Sequence, residues 1–347
     1  MVVNSSFEKF LERIKLDDTR VDKIQKAHNA VREYLEKDEE VKEKYYETFL
    51  QGSYALNTAV CPQGDGEFDV DVILSLNLKS SAGILDNAYD TINWLAQRLK
   101  KSARYGDKVK IKNKCLRLNY AGEFHMDITP SHCDGDTDGV LLVPPHWKES
   151  HPKGYKKWCK QVHKSSGETF YQVTKMLKWW RNIHFGDDGQ PRSIILTTLV
   201  GMHIPSQSES YDEALLNTML AIDSFLQDQT LVPRICNPSL KSENLAQNWS
   251  YGDFCSFKDK FQKATKKAIE AFSEEDEDKT LDLWNSEDLF NDTFPKSKRA
   301  LTAEAAAFNS ALNTGTLAVT SAGFVSRTLS SNAIKVPTTK FFGGDEQ

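Results

Sequence analysis

At 347 residues, with 27% charged and 39% hydrophobic side chains, the chain has an ordinary soluble composition and room for one bilobed domain or two smaller ones. No window approaches the roughly 18 to 20 uninterrupted apolar residues of a membrane span, and the start MVVNSSFEKFLERIKLDD lacks the basic-then-apolar order of a signal peptide, so a cytoplasmic protein without membrane contact is expected. A net charge of −5 is not the footprint of a protein that wraps long nucleic acid, and six cysteines without a C-x-x-C pair argue against a disulfide framework or a zinc ribbon.

Residues 5–37 are predicted to form one long helix, because Val21, Ile24, Ala27, Val31 and Leu35 recur at helical spacing, and Asp38-Glu39-Glu40 is predicted to turn. Tyr46 to Leu50 leads into Gln51-Gly52-Ser53. A glycine here lets the backbone approach a ligand, and free N–H groups joined by the Ser53 hydroxyl can hold phosphate oxygens ahead of a short helix. Cys61 to Gly66 reads as a loop on turn chemistry. Glu67 to Val72 then alternates with the period of a half-buried strand, so that Asp69 and Asp71 share one face while Phe68, Val70 and Val72 face a core. Neighbouring carboxylates repel and resist desolvation unless a cation relieves them, and hard divalent cations prefer oxygen ligands, which makes magnesium the expected occupant. A lone D-x-D strand can also be plain solvated surface. The Gly-Ser pair upstream and a third aspartate downstream favour a site.

Ile84 to Lys101, with Leu85, Ala88, Ile92, Leu95 and Leu99 on one face, is predicted to be a helix packed behind the aspartates. Lys108, Lys110, Lys112 and Lys114 then alternate along a strand, on a face that is either solvated or turned to a polyanion. Arg117, Leu118 and Tyr120 continue toward His125 to Thr129, where Asp127 opposes Met126 and Ile128 and supplies the third carboxylate. Cys133 to Gly139 has the composition of a calcium loop but lacks the glutamate and helix pair of an EF-hand, and is read as a turn. His146, His151, Cys159 and His163 could be drawn as a metal set, although Trp147, Tyr155 and Trp158 suit a loop docking into a helix better. In the predicted helix Phe170 to Phe185, Phe170, Val173, Leu177 and Trp180 make a core face. Tyr171, Lys175, Lys178 and Asn182 make a second, on which Lys175 and Lys178 at i, i+3 could both meet a triphosphate.

Further helices are predicted over Ser193–His203, Glu213–Leu226 and Phe254–Phe272, with an acidic link from Glu274 to Asp278. Asn237-Pro238 is a turn, and Asn244 suits a cap. After about residue 296 the composition shifts to Ala, Ser, Thr and Gly, the pattern of a mobile tail.

GSYALNT, then EFDVDV, then HMDITP, in that order, resembles the nucleotidyltransferase superfamily of DNA polymerase beta, poly(A) polymerases and oligoadenylate synthases. More narrowly it resembles the cGAS/DncV-like nucleotidyltransferases, bacterial enzymes that make cyclic oligonucleotide signals in the anti-phage defence called CBASS. The likeness covers roughly residues 45 to 290. It implies a two-lobed α/β, polymerase-beta-like fold. Residues 1–150 would be the core lobe, a mixed sheet with a bracing N-terminal helix, 151–295 a helical lobe facing it, and 296–347 the tail. Catalysis would fall to Asp69, Asp71 and Asp127, holding two magnesium ions, for which manganese can substitute. Gln51, Gly52, Ser53, Lys175, Lys178 and Asn244 would bind the nucleotide, the last within an Asn-Pro, Glu-Asn, Trp run from Asn237 to Trp249. The resemblance adds nucleoside triphosphates, ATP among them, as substrates, a second nucleotide as acceptor, and ring closure by repeated transfer. Residue chemistry alone leaves open a linear oligonucleotide synthase, a nucleotidyltransferase acting on RNA or protein, and an inactive nucleotide-sensing module. The Phe341-Phe342-Gly343-Gly344 run could serve as a handle for a protein partner.

Overall fold

The computed structural model describes residues 2–62, 67–78, 87–120, 124–133, 141–186, 190–316, 318–319, 325–326 and 334–335. The expected loop residues Gln63 to Gly66 and Asp134 to Gly139, the helix residues Ile84 and Leu85, and the Phe341 to Gly344 run lie outside them.

The single N-terminal helix expected from periodicity is two helices. α1 (Val2–Ile14) ends before Lys15, which forms a β-bridge with Val60, and α2 (Asp18–Lys37) starts afresh from Asp17, whose carboxylate accepts from the Arg20 N–H at 2.8 Å. A capping aspartate satisfies the free N–H groups of a new helix and so breaks the run where apolar spacing would carry it on. Each helix serves a different core. Phe7, Phe10 and Ile14 of α1 pack into the helical lobe, whereas Ile24, Ala27, Val31 and Leu35 of α2 pack under the sheet. Bracing of both lobes is thus shared between α1 and α2. The core-lobe boundary expected at residue 1 shifts accordingly, since α1 belongs with the helices.

In the first lobe β1 (Tyr45–Gln51) runs into the one-turn α3 (Gly52–Ala55), followed by β2 (Phe68–Leu76) and α4 (Ala88–Lys100). β3 (Val109–Ile111), β4 (Leu116–Tyr120), β5 (Phe124–His132), β6 (Leu141–Val143) and β7 (Lys148–Ser150) complete it. Among the described residues these strands form one mixed sheet in the order β1-β2-β5-β4-β3, with β6 and β7 attached beyond β5. β2 and β5 are parallel and the other pairs antiparallel. Val70, Val72 and Leu74 alternate into the core that α2 and α4 cover, each burial contributing about 1.5–3 kcal/mol. α2 and α4 are locked together by Arg98, which donates from Nε and Nη2 to Asp38 at 3.0 Å. The lysine run is not one straight face: Lys110 lies on β3, while Lys112 and Lys114 flank a turn closed by Lys112 N–H to Cys115 C=O at 2.9 Å.

The second lobe holds α5 (Pro152–Ser165), α6 (Phe170–Phe185), α7 (Ser193–His203) and α8 (Tyr211–Gln227), then the hairpin β8 (Cys236–Asn237) and β9 (Leu240–Asn244), then α9 (Tyr251–Ser273) and α10 (Glu277–Trp284). α6 runs through its middle, packed on α1, α5, α7 and α8. Trp180 shows how completely it is enclosed, lying edge-on to Phe257 and Phe261 and donating its indole N–H to Asp288 C=O at 2.9 Å. Near the C-terminus, α11 (Lys298–Asn313) corrects the expectation of a tail beginning at 296. Ser297 caps it through Ala300 N–H at 3.0 Å and Arg299 pairs with Asp282 at 2.8 Å, while its alanines have the highest helix propensity of any residue. Beyond it β10 (Ala318–Val319) pairs with β11 (Val325–Ser326) and β12 (Ile334–Lys335). Among the described residues no helix is long and apolar enough to cross a membrane.

Candidate active site

One row of side chains crosses four strands on the sheet face turned to the helical lobe. Gln51 of β1 is the register partner of Asp71 on β2, Asp71 of Asp127 on β5, and Asp127 of Arg117 on β4. Asp69, two residues before Asp71, shares its face. Parallel pairing of β2 with β5 therefore sets the three sequence-predicted carboxylates side by side, and the alternation that buries Val70 and Val72 is what aims Asp69 and Asp71 outward.

Gln51 is the last residue of β1 and Gly52 opens α3, at φ +67°. Here glycine is required twice: L side chains rarely adopt that φ, and a Cβ would lie 2.2 Å from Asp71 Oδ2. The turn is closed by Thr58 N–H donating to Ser53 C=O at 2.9 Å. Gln51, Gly52 and Ser53 line the same cleft as the three aspartates, a space of about 1450 Å³ between the lobes.

The opposite wall is cationic. Lys175 and Lys178 of α6 line the cleft, joined by Arg181, Asn182 and Arg192. Lys178 is 4% exposed and donates from Nζ to Thr58 C=O at 2.8 Å, so it ties α6 to the chain just after the Gly-Ser turn. Burial, reinforced by Arg181 and Lys175, pulls its ammonium down to about 7, with Asp71 pulling the other way. Lys175 is lowered too, by burial and then by Lys15.

On the sheet side, burial pushes the Asp71 carboxyl up to about 7, helped by the charges of Asp127 and Asp69. Asp69 is raised by burial against the opposing pull of Arg117. Arg117 forks onto Asp127, Nε to Oδ1 and Nη2 to Oδ2 at 2.7 Å each, and its Nη2 also lies 2.9 Å from Asp69 Oδ1. A cluster whose buried member is driven toward neutrality is short of positive charge, and its donors are all hard oxygens, so the three aspartates suit a divalent cation such as magnesium. Among the described residues no three His, Cys, Asp or Glu side chains are arranged to hold a metal ion as they stand, because Arg117 draws two of the three aspartates to itself.

Asn244 does not join this group. Its amide oxygen accepts from Ile235 N–H at 3.2 Å and Ala246 N–H at 3.1 Å, fixing the end of β9 as a cap and leaving it off the cleft wall. From the same run Asn237 and Glu243 do reach the cleft, linked by Asn237 Nδ2 to Glu243 Oε2 at 2.7 Å. The drawn metal set disperses: His151 Nδ1 meets Ser239 C=O at 3.1 Å, Cys159 is buried beside Tyr155, His163 stacks on Tyr171 at 3.9 Å, and His146 is exposed. Tyr155 and Trp158 pack into the helical lobe from α5 rather than from a loop, the Tyr155 hydroxyl 2.8 Å from Thr198 Oγ1, while Trp147 packs against the sheet core. Arg117, like Arg181 and Arg192 on the other wall, is a residue that sequence reasoning passed over. The alternation Leu116-Arg117-Leu118-Asn119 would have found it, for it buries both leucines and sends Arg117 to the carboxylate face.

Known proteins similar to this chain point to one family. The Second Messenger Oligonucleotide or Dinucleotide Synthetase domain, SMODS, matches residues 1–162. A Cyclic AMP-AMP-AMP synthase of Acinetobacter is 27% identical over 325 residues, covering 90% of this chain and 91% of that one. A c-di-GMP synthase of Roseivirga ehrenbergii is 30% identical over 305 residues, covering 74% of this chain and 76% of that one. Among solved structures, the CD-NTase CdnG of Bradyrhizobium diazoefficiens in complex with GTP superposes with a TM-score of 0.69 at 17% identity, covering 89% of this chain and 100% of that one, which shows the shared polymerase-beta-like fold. By its carboxylate row, its fold and its relatives, the chain belongs to the cGAS/DncV-like nucleotidyltransferases.

Proposed function

We propose that this nucleotidyltransferase joins nucleoside triphosphates, ATP among them, into a small cyclic oligonucleotide, releasing pyrophosphate and using magnesium. The observation that carries the reading is the register of Asp71 beside Asp127, with Asp69 on the same face, directly against the Gly52-Ser53 turn and across a cleft from Lys175 and Lys178. Support for a cyclic product comes from the relatives, one named for a ring of three AMP units and another for cyclic di-GMP.

Asp69, Asp71 and Asp127 would hold the magnesium ions, which neutralise phosphate charge and make the acceptor hydroxyl a better nucleophile. The rest is positioning by the chain itself. Gly52 keeps the backbone close to Asp71, so the Ser53 N–H and hydroxyl meet the donor's phosphates beside the carboxylates. Lys175 and Lys178 grip the same triphosphate from α6. The acceptor hydroxyl gives up its proton to solvent as its oxygen bonds to the α-phosphorus and the bond from that phosphorus to the bridging oxygen breaks, and the pyrophosphate leaves toward the lysines. A cleft of about 1450 Å³ has room for a donor and an acceptor nucleotide together. A short linear intermediate can therefore rebind reversed and present its own triphosphate to its far hydroxyl.

Antiviral signalling in the cytoplasm, where nucleoside triphosphates are abundant, is the setting this reading fits, with the Phe341 to Gly344 run as a handle for a protein partner. Incubation with each radiolabelled nucleoside triphosphate, magnesium and then phosphatase tests it. The expected result is a phosphatase-resistant product that EDTA abolishes. A product pool that shifts entirely on phosphatase treatment would make the enzyme a linear oligonucleotide synthase.

A further inference from the structure

We infer that Arg117 is a positioning residue that stands in for a divalent cation in the metal-free enzyme and surrenders Asp69 to the metal on loading while keeping its grip on Asp127. The inference rests on the metal-held site proposed above.

The two contacts of the guanidinium are unequal. Toward Asp127 it makes a fork of two bonds at 2.7 Å, between side chains only 17% and 14% exposed. Toward Asp69 it makes one contact at 2.9 Å, from an Nη2 already bonded to Asp127, and the Asp69 side chain is 55% exposed. Bidentate, water-shielded Arg–carboxylate pairs are the strong ones, and single exposed ones contribute little. An arriving cation therefore displaces the Asp69 contact first. The backbone beneath Arg117 cannot follow, because Leu116 and Leu118 on either side are fully buried under the sheet, so the change is confined to the side chain. One guanidinium against three carboxylates also leaves the metal-free cluster short of positive charge, which keeps the site receptive to a dication. The fork to Asp127 serves both states, since it fixes the carboxylate plane in each.

Arg117 and the metal thus compete for Asp69. Removing the competitor should tighten metal binding even as it weakens the metal-free protein, whereas a residue that merely stabilised the sheet would cost the same stability with and without metal. The test uses the full chain without nucleotide, Mn²⁺ as the probe, and titration calorimetry with thermal unfolding as readouts. Arg117→Gln is expected to lower the Tm in EDTA, to bind Mn²⁺ about tenfold more tightly than the wild type, and to regain most of the lost Tm at saturating Mn²⁺. Equal Tm losses with and without Mn²⁺, together with unchanged or weaker binding, would overturn the inference. Should Arg117→Gln fail to fold, Arg117→Lys carries the same test: it keeps a charge but not the fork, so tighter Mn²⁺ binding supports the inference, and unchanged or weaker binding removes it. A wild-type protein that binds no Mn²⁺ brings down the metal reading and this inference together. Wild-type binding that neither variant alters removes this inference alone.

Discussion

Gly52 and Asp71 share a space that admits only one of them beyond the backbone: a Cβ on Gly52 would sit 2.2 Å from Asp71 Oδ2, at a backbone φ of +67°. Gly52→Ala must therefore move either the turn or the carboxylate. The left-handed conformation adds strain of about 1–2 kcal/mol, and a displacement of 1 Å near the reacting atoms costs on the order of 100-fold in rate. A folded protein with a slightly lowered Tm and a kcat/KM down at least about 100-fold is expected. Near wild-type kcat/KM would show that catalysis does not depend on this contact.

Asp71→Asn should separate stability from activity. The folded carboxyl titrates near 7 against an ordinary 3.8, so ionising it is costlier in the folded protein than in the unfolded chain. With the folded value raised, its stability contribution is fully present below about pH 4 and is lost as pH rises to about 7. An asparagine has nothing to ionise. In EDTA the variant's Tm should match the wild type near pH 4 and exceed it at pH 8 by about 2 °C or more, while synthesis is abolished. A variant that is less stable at pH 8, or that retains more than a few per cent of turnover, contradicts the assignment.

Most of this site was legible because strand alternation is a strict two-residue rule: Asp69, Asp71 and Asp127 stand out from Phe68, Val70, Val72, Met126 and Ile128 without any tertiary information. The helix Phe170 to Phe185 was equally plain as a helix, but its faces were not: Lys178 and Asn182 are buried like the core residues, Arg181 joins them at the cleft, and Tyr171 stacks on His163 instead. Arg117 depended on register between β4 and β5, which no local pattern states, although its face could be read. The split between α1 and α2 was hidden because the charged positions around Asp17 fit either a helix surface or a cap, and only the bridge from Lys15 to Val60 decides it. Asn244 was misplaced for a different reason. A signature names a neighbourhood, and in this hairpin Asn237 and Glu243 face the cleft while Asn244 turns to backbone N–H groups.

Asn244→Ala should accordingly behave as a stability variant. It strips the acceptor from the Ile235 and Ala246 N–H groups, and unsatisfied donors cost about 1–3 kcal/mol. A lower Tm with KM for ATP within about twofold of the wild type is expected. Glu243→Gln, on the cleft wall, should shift KM instead. A large KM effect at Asn244 with an unchanged Tm would return it to the substrate site.

Lys178 is held near 7 by burial and by the neighbouring charges of Arg181 and Lys175, so at pH 8 it is mostly neutral in the empty cleft. A triphosphate arriving beside it restores the preference for the charged form, and the lysine takes a proton from the buffer as the nucleotide binds. Calorimetry of ATP binding at pH 8 in EDTA, which keeps metal-linked ionisation of Asp71 out of the measurement, should give heats that differ between Tris and HEPES by up to one proton's worth of buffer ionisation. Lys178→Met should erase the difference and raise KM about tenfold with little change in kcat, because the lysine grips ground state and transition state alike. The sign on stability is also fixed. Between about 7 and the ordinary 10.5 the unfolded chain binds the proton that the folded one has lost, so wild-type stability rises with pH across that window. The Tm advantage of Lys178→Met should therefore be largest below pH 7 and shrink toward pH 10. Binding heats independent of buffer, with a Tm advantage flat in pH, would mean that Lys178 stays charged in the empty cleft and serves as a structural tether to Thr58.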